Sequence, residues 1–201
     1  MKTNIIKLSK NHIIPAGAVL GRALKDDPVS VHVMPDEVKR HLTMECVFRM
    51  TCYLGVKYGE VHATSADLEG VAVWIPYEYY KDKFWRTFKA AFKGRMWKMG
   101  LDASRNIKPI REHSTAAHRK YAPTNHWYLQ TLGVEPIHQG KGYGSLLLEH
   151  FIEKMATDSL PIFLETSTQR NVNFYERFGF QVMEEEIVPG TNVRQWYLLR
   201  K

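Results

Sequence analysis

Apolar and polar positions along this chain switch between two periodicities, and the switches mark its elements. Asn4 to Leu8 reads as a short first strand. His12 to Leu24 and Pro35 to Lys57 read as helices. In the second, Val38, Leu42, Cys46 and Met50 recur at a spacing of four, Pro35 suits the first turn and Gly59 supplies a stop. Glu60 to Ser65 and Gly70 to Ile75 form a hairpin around Ala66-Asp67-Leu68-Glu69, and the unbroken apolar run from Val71 to Ile75 marks a central strand. Trp127 to Val134 is a strand, Gly142 to Thr157 a helix, Ile162 to Glu165 a strand, and a short helix ends at Phe178. Phe180 to Val188 and Val193 to Arg200 close the chain as a hairpin turning at Pro189-Gly190-Thr191-Asn192.

The segment 76–125 interrupts this order and is expected to be a helical insertion. Phe84, Phe88 and Phe92 share one helical face, with Trp85 beside them, which is the pattern of core packing. A second helix is expected from Ile110 to Tyr121. Placed between the third and fourth strands, the two helices would lie beside a binding site, with Tyr77, Tyr79, Tyr80, Trp85 and Trp97 as candidates for its lining. No internal repeat or linker divides the chain, so residues 1–201 are expected to form one domain.

Gln139-Gly140-Lys141-Gly142-Tyr143-Gly144 joins a strand to a helix. The free N–H groups of a first helical turn and the helix dipole favour an anion, and glycines let backbone approach a pyrophosphate with no Cβ in the way. A phosphorylated cofactor follows from this reading. It is not a P-loop, because Lys141 is followed by Gly142 and not by a hydroxyl residue for Mg²⁺. A dinucleotide fingerprint fits Gly140, Gly142 and Glu165, yet Ser145 replaces the third small residue and too little chain follows for a doubly wound sheet.

Gln139-x-x-Gly142-x-Gly144 after Leu132-Gly133-Val134 resembles the acetyl-CoA signature of the GNAT acetyltransferase superfamily. Gly70-Val71-Ala72-Val73-Trp74, Phe163-Leu164-Glu165-Thr166-Ser167, Arg170-Asn171 and Phe174-Tyr175-Glu176-Arg177-Phe178-Gly179-Phe180 are similar to the puromycin N-acetyltransferase branch. The resemblance implies an α/β fold with a mixed, mainly antiparallel sheet of about seven strands, helices on both faces and one splayed parallel pair. It implies acetyl-CoA as co-substrate, bound by Leu132, Gly133, Val134, Gln139, Gly140, Lys141, Gly142, Tyr143, Gly144 and Ser145. Gly133 suits a bulge or a close approach of ligand to backbone, and the N–H near Val134 would polarise the thioester carbonyl. Lys141 either meets the cofactor phosphates or lies in solvent.

Asn171 and Asn173 begin the short helix, where one is expected to cap it and where the family places an asparagine on the pantetheine amide. Tyr175 matches the family tyrosine that protonates the departing thiolate; without that match it reads as a core aromatic beside Phe174 and Phe178. Glu165, a carboxylate near the end of a central strand, either handles the acceptor amine or makes a structural hydrogen bond. His126 and Glu135 are weaker contenders. The expected reaction is acetyl transfer to a primary amine of a small molecule, with a protein N-terminal or lysine acetyltransferase and a non-catalytic acyl-CoA-binding module as alternatives.

Composition narrows the rest. In 201 residues with 44% hydrophobic content there is enough for a sizeable core. The net charge of +7 is dispersed, with a local excess from Lys81 to Arg119 and no nucleic-acid-binding motif, so a polyanionic cofactor accounts for it better than nucleic acid. Nine histidines without helical pairing at i, i+4 and two cysteines predict no metal site. Cys46 and Cys52 are expected to be free thiols. With no signal peptide and no long apolar run, the expected location is the cytoplasm, without membrane contact; a homodimer stays open.

Overall fold

A computed structural model describes residues 4–79, 100–156 and 159–201, with the side chains of 100 and 101 left aside. Its elements in chain order are β1 (Ile6–Lys7), a 3-10 turn (Lys10–His12), α1 (Ile13–Leu24), α2 (Pro28–Val33), α3 (Glu37–Tyr58), β2 (Glu60–Ala63), β3 (Gly70–Pro76), a helical turn (Tyr77–Tyr79), α4 (Gly100–Tyr121), β4 (Trp127–Val134), a 3-10 turn (Pro136–His138), α5 (Tyr143–Met155), β5 (Ile162–Thr166), α6 (Gln169–Glu176), β6 (Gln181–Ile187) and β7 (Arg194–Arg200). The seven strands form one sheet in the order β1-β2-β3-β4-β5-β7-β6, and β4 with β5 is its parallel pair. The expected mixed sheet is observed.

Alternation along the strands divides the core between two faces. Val71, Val73, Ile75, Phe163 and Tyr197 pack with α1 and α3. Ala72, Trp74, Leu164, Trp196 and Leu198 pack with α5 and α6, where Trp74 stacks on Phe151 at 3.7 Å between ring centroids. The strands of the hydrophobic pattern are therefore buried on both sides, which is why their apolar runs are continuous.

The helices differ from the sequence pattern in three places. The extra helix α2 was hidden in an alternating Val-Ser-Val-His-Val run; its signal is Asp27-Pro28, with Asp27 capping the N–H of Val29 at 2.9 Å. Pro35 lies before α3 rather than in it, and Asp36 is the cap, accepting from Lys39 N at 3.0 Å. The expected stripe on α3 points outward at its start: Val38 is 75% and Leu42 67% exposed. A spacing of four drifts about 40° per step around a 3.6-residue helix, so such a stripe cannot hold one face. The face that α3 buries carries Arg40, Met44, Thr51, Cys52 and Leu54 instead, and Arg40 donates to the carbonyls of Met34 (2.9 Å) and Pro35 (3.0 Å). Finally, α4 begins ten residues before the expected Ile110 and runs through Pro109, which forgoes one helical hydrogen bond without ending the helix. The stripe of Phe84, Phe88 and Phe92, with Tyr80, Trp85 and Trp97, falls outside the described residues.

Gly133 has a packing reason. A Cβ there would lie 2.8 Å from Leu20 Cδ2 and 3.0 Å from Ala23 Cβ, so α1 sits directly on this turn of β4. The expected bulge lies elsewhere, at Gln130, where pairing with β3 skips from Trp74↔Leu129 to Val73↔Thr131. Gly133→Ala should therefore cost about 1–3 kcal/mol by overpacking the α1–β4 contact. Chemical denaturation checks this, and an unchanged midpoint would mean that α1 yields freely.

Candidate active site

Parallel pairing of β4 and β5 stops early. Register runs Trp127↔Ile162, Tyr128↔Phe163 and Leu129↔Leu164, and ends there, although β4 continues to Val134 and β5 to Thr166. The two strands part at the bulged Gln130. In an antiparallel ladder, alternate residues turn their N–H and C=O to alternate neighbours. Glu135 N donates to Glu69 O at 2.8 Å, so Val134, and with it Leu132, presents its backbone to the opposite, open edge. Val134 O accepts from Gln139 Nε2 at 3.2 Å. The opening thus carries unpaired strand backbone of the kind that an extended amide-containing chain can pair with.

Above the same edge lies the glycine turn. Gly140 (φ +78°) and Gly142 (φ +86°) are left-handed, and a Cβ on either would meet nothing within 4 Å. Gly142 is the residue before the 13-residue helix α5, whose first N–H groups therefore face open space. Gly144 faces Phe174, Val134 and Leu132 at ordinary contact distance, which seats the helix start on the end of β4. Lys141 is exposed and lies 3.4 Å from His138 Nδ1; Tyr143 is buried with its ring 5.8 Å from that of His138; Ser145 is half-buried one position on.

Beside the opening is a cleft of about 290 Å³ lined by the corner between α1 and α2, by α4, by β4 and β5, and by α6 and β7. Leu132, Glu165, Asn171 and Tyr175 all reach it. Glu165 Oε2 accepts from Ser114 Oγ at 2.5 Å and from Gln195 Nε2 at 3.3 Å, while Oε1 is shielded from solvent with no hydrogen-bond partner among the described residues. Burial pushes this carboxyl up to about 7, against the opposing effect of hydrogen bonds from Ser114, Gln195 and Tyr128. The Tyr175 phenol is also raised, first by burial and then by the Asp27 carboxylate, so it is a neutral donor at physiological pH.

The remaining expected residues are placed differently. Asn171 lines the cleft with its amide donating to Thr166 Oγ1 at 3.0 Å; Asn173 is on the exposed face of α6, bonded to Gln169 at 2.9 Å. Neither caps the helix, since Thr168 does so by accepting from Asn171 N at 3.3 Å. Glu135 is held by Arg22 in a two-pronged pair at 2.6 and 2.8 Å. His126 is buried, 2.5 Å from His118 through their Nε2 atoms and 2.6 Å from Thr124 O through Nδ1. Tyr77 bonds to Pro123 O at 2.8 Å and Tyr79 packs on Tyr58, so neither lines the cleft. Cleft residues missed from the sequence are Asp27, Ser114, Gln130 and Gln195. Gln130, a polar residue interrupting an apolar strand, carried the readable signal.

Comparison with known proteins agrees with this geometry. The model of the acetyltransferase (GNAT) family matches residues 106–180. An uncharacterized N-acetyltransferase of Schizosaccharomyces pombe is 28% identical over 172 residues, spanning 82% of this chain and 69% of that protein. The fold is shared with a histone acetyltransferase and related acetyltransferase structure from Corynebacterium glutamicum (TM-score 0.70, 20% identity, 100% of this chain and 96% of that one). It is also shared with the polyamine N-acetyltransferase of Drosophila melanogaster (TM-score 0.61, 13% identity, 98% and 99%). These findings support an acyltransferase, similar over residues 106–180 to the GNAT acetyltransferase family, whose members use acetyl-CoA. The puromycin branch gains no support from them. Among the described residues no helix is long and apolar enough to cross a membrane.

The raised carboxyl of Glu165 couples to stability. Its folded value of about 7 lies above its unfolded value near 4.5, so the folded state holds an extra proton between them and stability falls as pH rises through that window. Glu165→Gln removes this slope. Between pH 4.5 and 8 the parent should lose up to about 3 kcal/mol relative to the variant. Urea unfolding at the two pH values measures it, and parallel pH dependences would contradict the buried-carboxyl assignment.

Proposed function

We propose that this acyltransferase moves an acetyl group from acetyl-CoA to the primary amine of a small molecule, by direct attack within a ternary complex. The observation that carries the reading is the Glu165 carboxyl, set beside the strand opening with a shielded oxygen awaiting a donor. The pyrophosphate would lie on the turn Gly140–Gly144, with Lys141 and Ser145 beside it. The pantetheine arm would enter the opening and pair with the backbone of Leu132 and Val134, near the Asn171 amide. There the N–H of Val134 would polarise the thioester carbonyl and stabilise its oxyanion.

The amine arrives largely protonated and yields its proton, through water, to ionised Glu165, whose raised value brings it closer to that of the amine. The nitrogen lone pair attacks the thioester carbon, the C–N bond forms and the C–S bond breaks. Tyr175 gives its proton to the leaving thiolate, and the second proton that the nitrogen sheds as the intermediate collapses returns through water to the Tyr175 phenolate. Ser114 and Gln195 fix the Glu165 carboxyl through its other oxygen, leaving Oε1 for the water or the amine. Relatives of this fold are named for both protein and small-molecule acceptors. The deep placement of Glu165 favours a small one.

Thiol release from acetyl-CoA across a panel of amines tests the reading, and binding of the cofactor without turnover on any amine would leave only a binding module. In single turnovers, Tyr175→Phe should slow the acetyl-transfer step by about 10- to 10⁴-fold with cofactor affinity changed only a few-fold. The parent rate should rise with pH through an inflection near 7 that Glu165→Gln abolishes. Equal rates for Tyr175→Phe and parent, or an inflection retained in Glu165→Gln, would remove those residues from the chemistry.

A further inference from the structure

Two carboxyl groups reach the cleft from different walls, Asp27 from the corner between α1 and α2 and Glu165 from β5. Their hydrogen bonds come from uncharged donors. Asp27 accepts from Val29 N at 2.9 Å, and Glu165 accepts from Ser114 Oγ and Gln195 Nε2. Neither makes an ion pair with a lysine, arginine or histidine among the described residues. Burial raises both carboxyls above their ordinary range, as expected for charge without a compensating cation.

A second observation points the same way. Gln130 Oε1, like Glu165 Oε1, is shielded from solvent without a donor, and both residues line the cleft. Gln130 follows Leu129, and Glu165 follows its register partner Leu164, so the two orphan oxygens belong to neighbouring positions where the strands part. A primary ammonium group carries three N–H donors and suits such a set. Leu24, Val29, Ile107 and Ile110 supply apolar wall in the same cleft, which suits methylene groups rather than a polar linker. Arg111 is the cationic residue of the lining.

Resting on the acetyl transfer proposed above, we infer that the cleft is built for an aliphatic diamine, with its methylenes along the apolar wall and one cationic nitrogen at each of Asp27 and Glu165. A monoamine leaves one carboxyl without a counter-charge. An amino acid brings a third carboxylate into a cleft that already holds two.

Calorimetry with CoA present compares 1,4-diaminobutane, butylamine and 4-aminobutanoate, and thiol release from acetyl-CoA is followed on the same three. The diamine should bind at least about tenfold more tightly than butylamine, and 4-aminobutanoate should bind most weakly. Asp27→Asn keeps an oxygen to cap α2 and should bring the diamine to within about threefold of butylamine. Asp27→Ser, which also retains a capping oxygen, serves if the first variant does not fold. Equal binding of diamine and butylamine, preference for 4-aminobutanoate, undetectable diamine binding, or unaltered selectivity in both variants overturns the inference. Tight diamine binding without acetylation would leave the diamine site standing and remove the acetyl-transfer reading, so the two failures are distinct.

Discussion

Everything at the candidate site depends on β4 and β5 parting after three paired residues. A parallel pair in the middle of a sheet normally buries its ladder, and unpaired backbone there is costly unless something else bonds to it. Two features hold the parting open. The bulge at Gln130 bends β4 while it remains paired to β3, and α1 lies so close on Gly133 that the upper half of β4 is fixed from that side. The opening is therefore a property of the packed fold.

Electrostatics follow from that geometry. At the parting, a strand that would have been sealed by its neighbour instead turns a carboxyl into a cleft, where burial raises Glu165 and the neighbouring phenol of Tyr175. Ser114, on α4, reaches across to hold one oxygen of Glu165, and the other has no donor among the described residues. The glycine turn lies beyond the end of β4, with its left-handed residues in open space. Glycine turn, strand opening and carboxyl are thus carried by one strand–turn–helix–strand segment, residues 127–166, which explains why one stretch of sequence carried most of the functional signal.

Sheet and order of elements were legible because β3, β5 and β7 are runs buried on both faces, and glycine marks the start of β3 and the turn after β4. Helix rotation was not. The stripe through Val38 and Leu42 looked like a buried face, but the face that α3 buries begins with Arg40, a residue that composition rules place at the surface. Helix α2 escaped because six residues with β-branched alternation resemble a strand, and only the Asp27-Pro28 cap said otherwise. At the site, residues within the motif could be named, whereas Asp27, Ser114 and Gln195 could not: they come together only through tertiary packing of elements far apart in sequence. Gly133, singled out for the cofactor, also has a packing role beneath α1 that only the tertiary structure shows.

The central claim is that the edge of β4 between Leu132 and Val134 receives the acyl-pantetheine arm. Amide hydrogen exchange by NMR, with and without acetyl-CoA, reads that edge residue by residue. The amides of Leu132 and Val134 should become protected when the cofactor binds, while that of Gly133, which faces β3, should change little. Binding of acetyl-CoA with no added protection at Leu132 or Val134 would contradict the account.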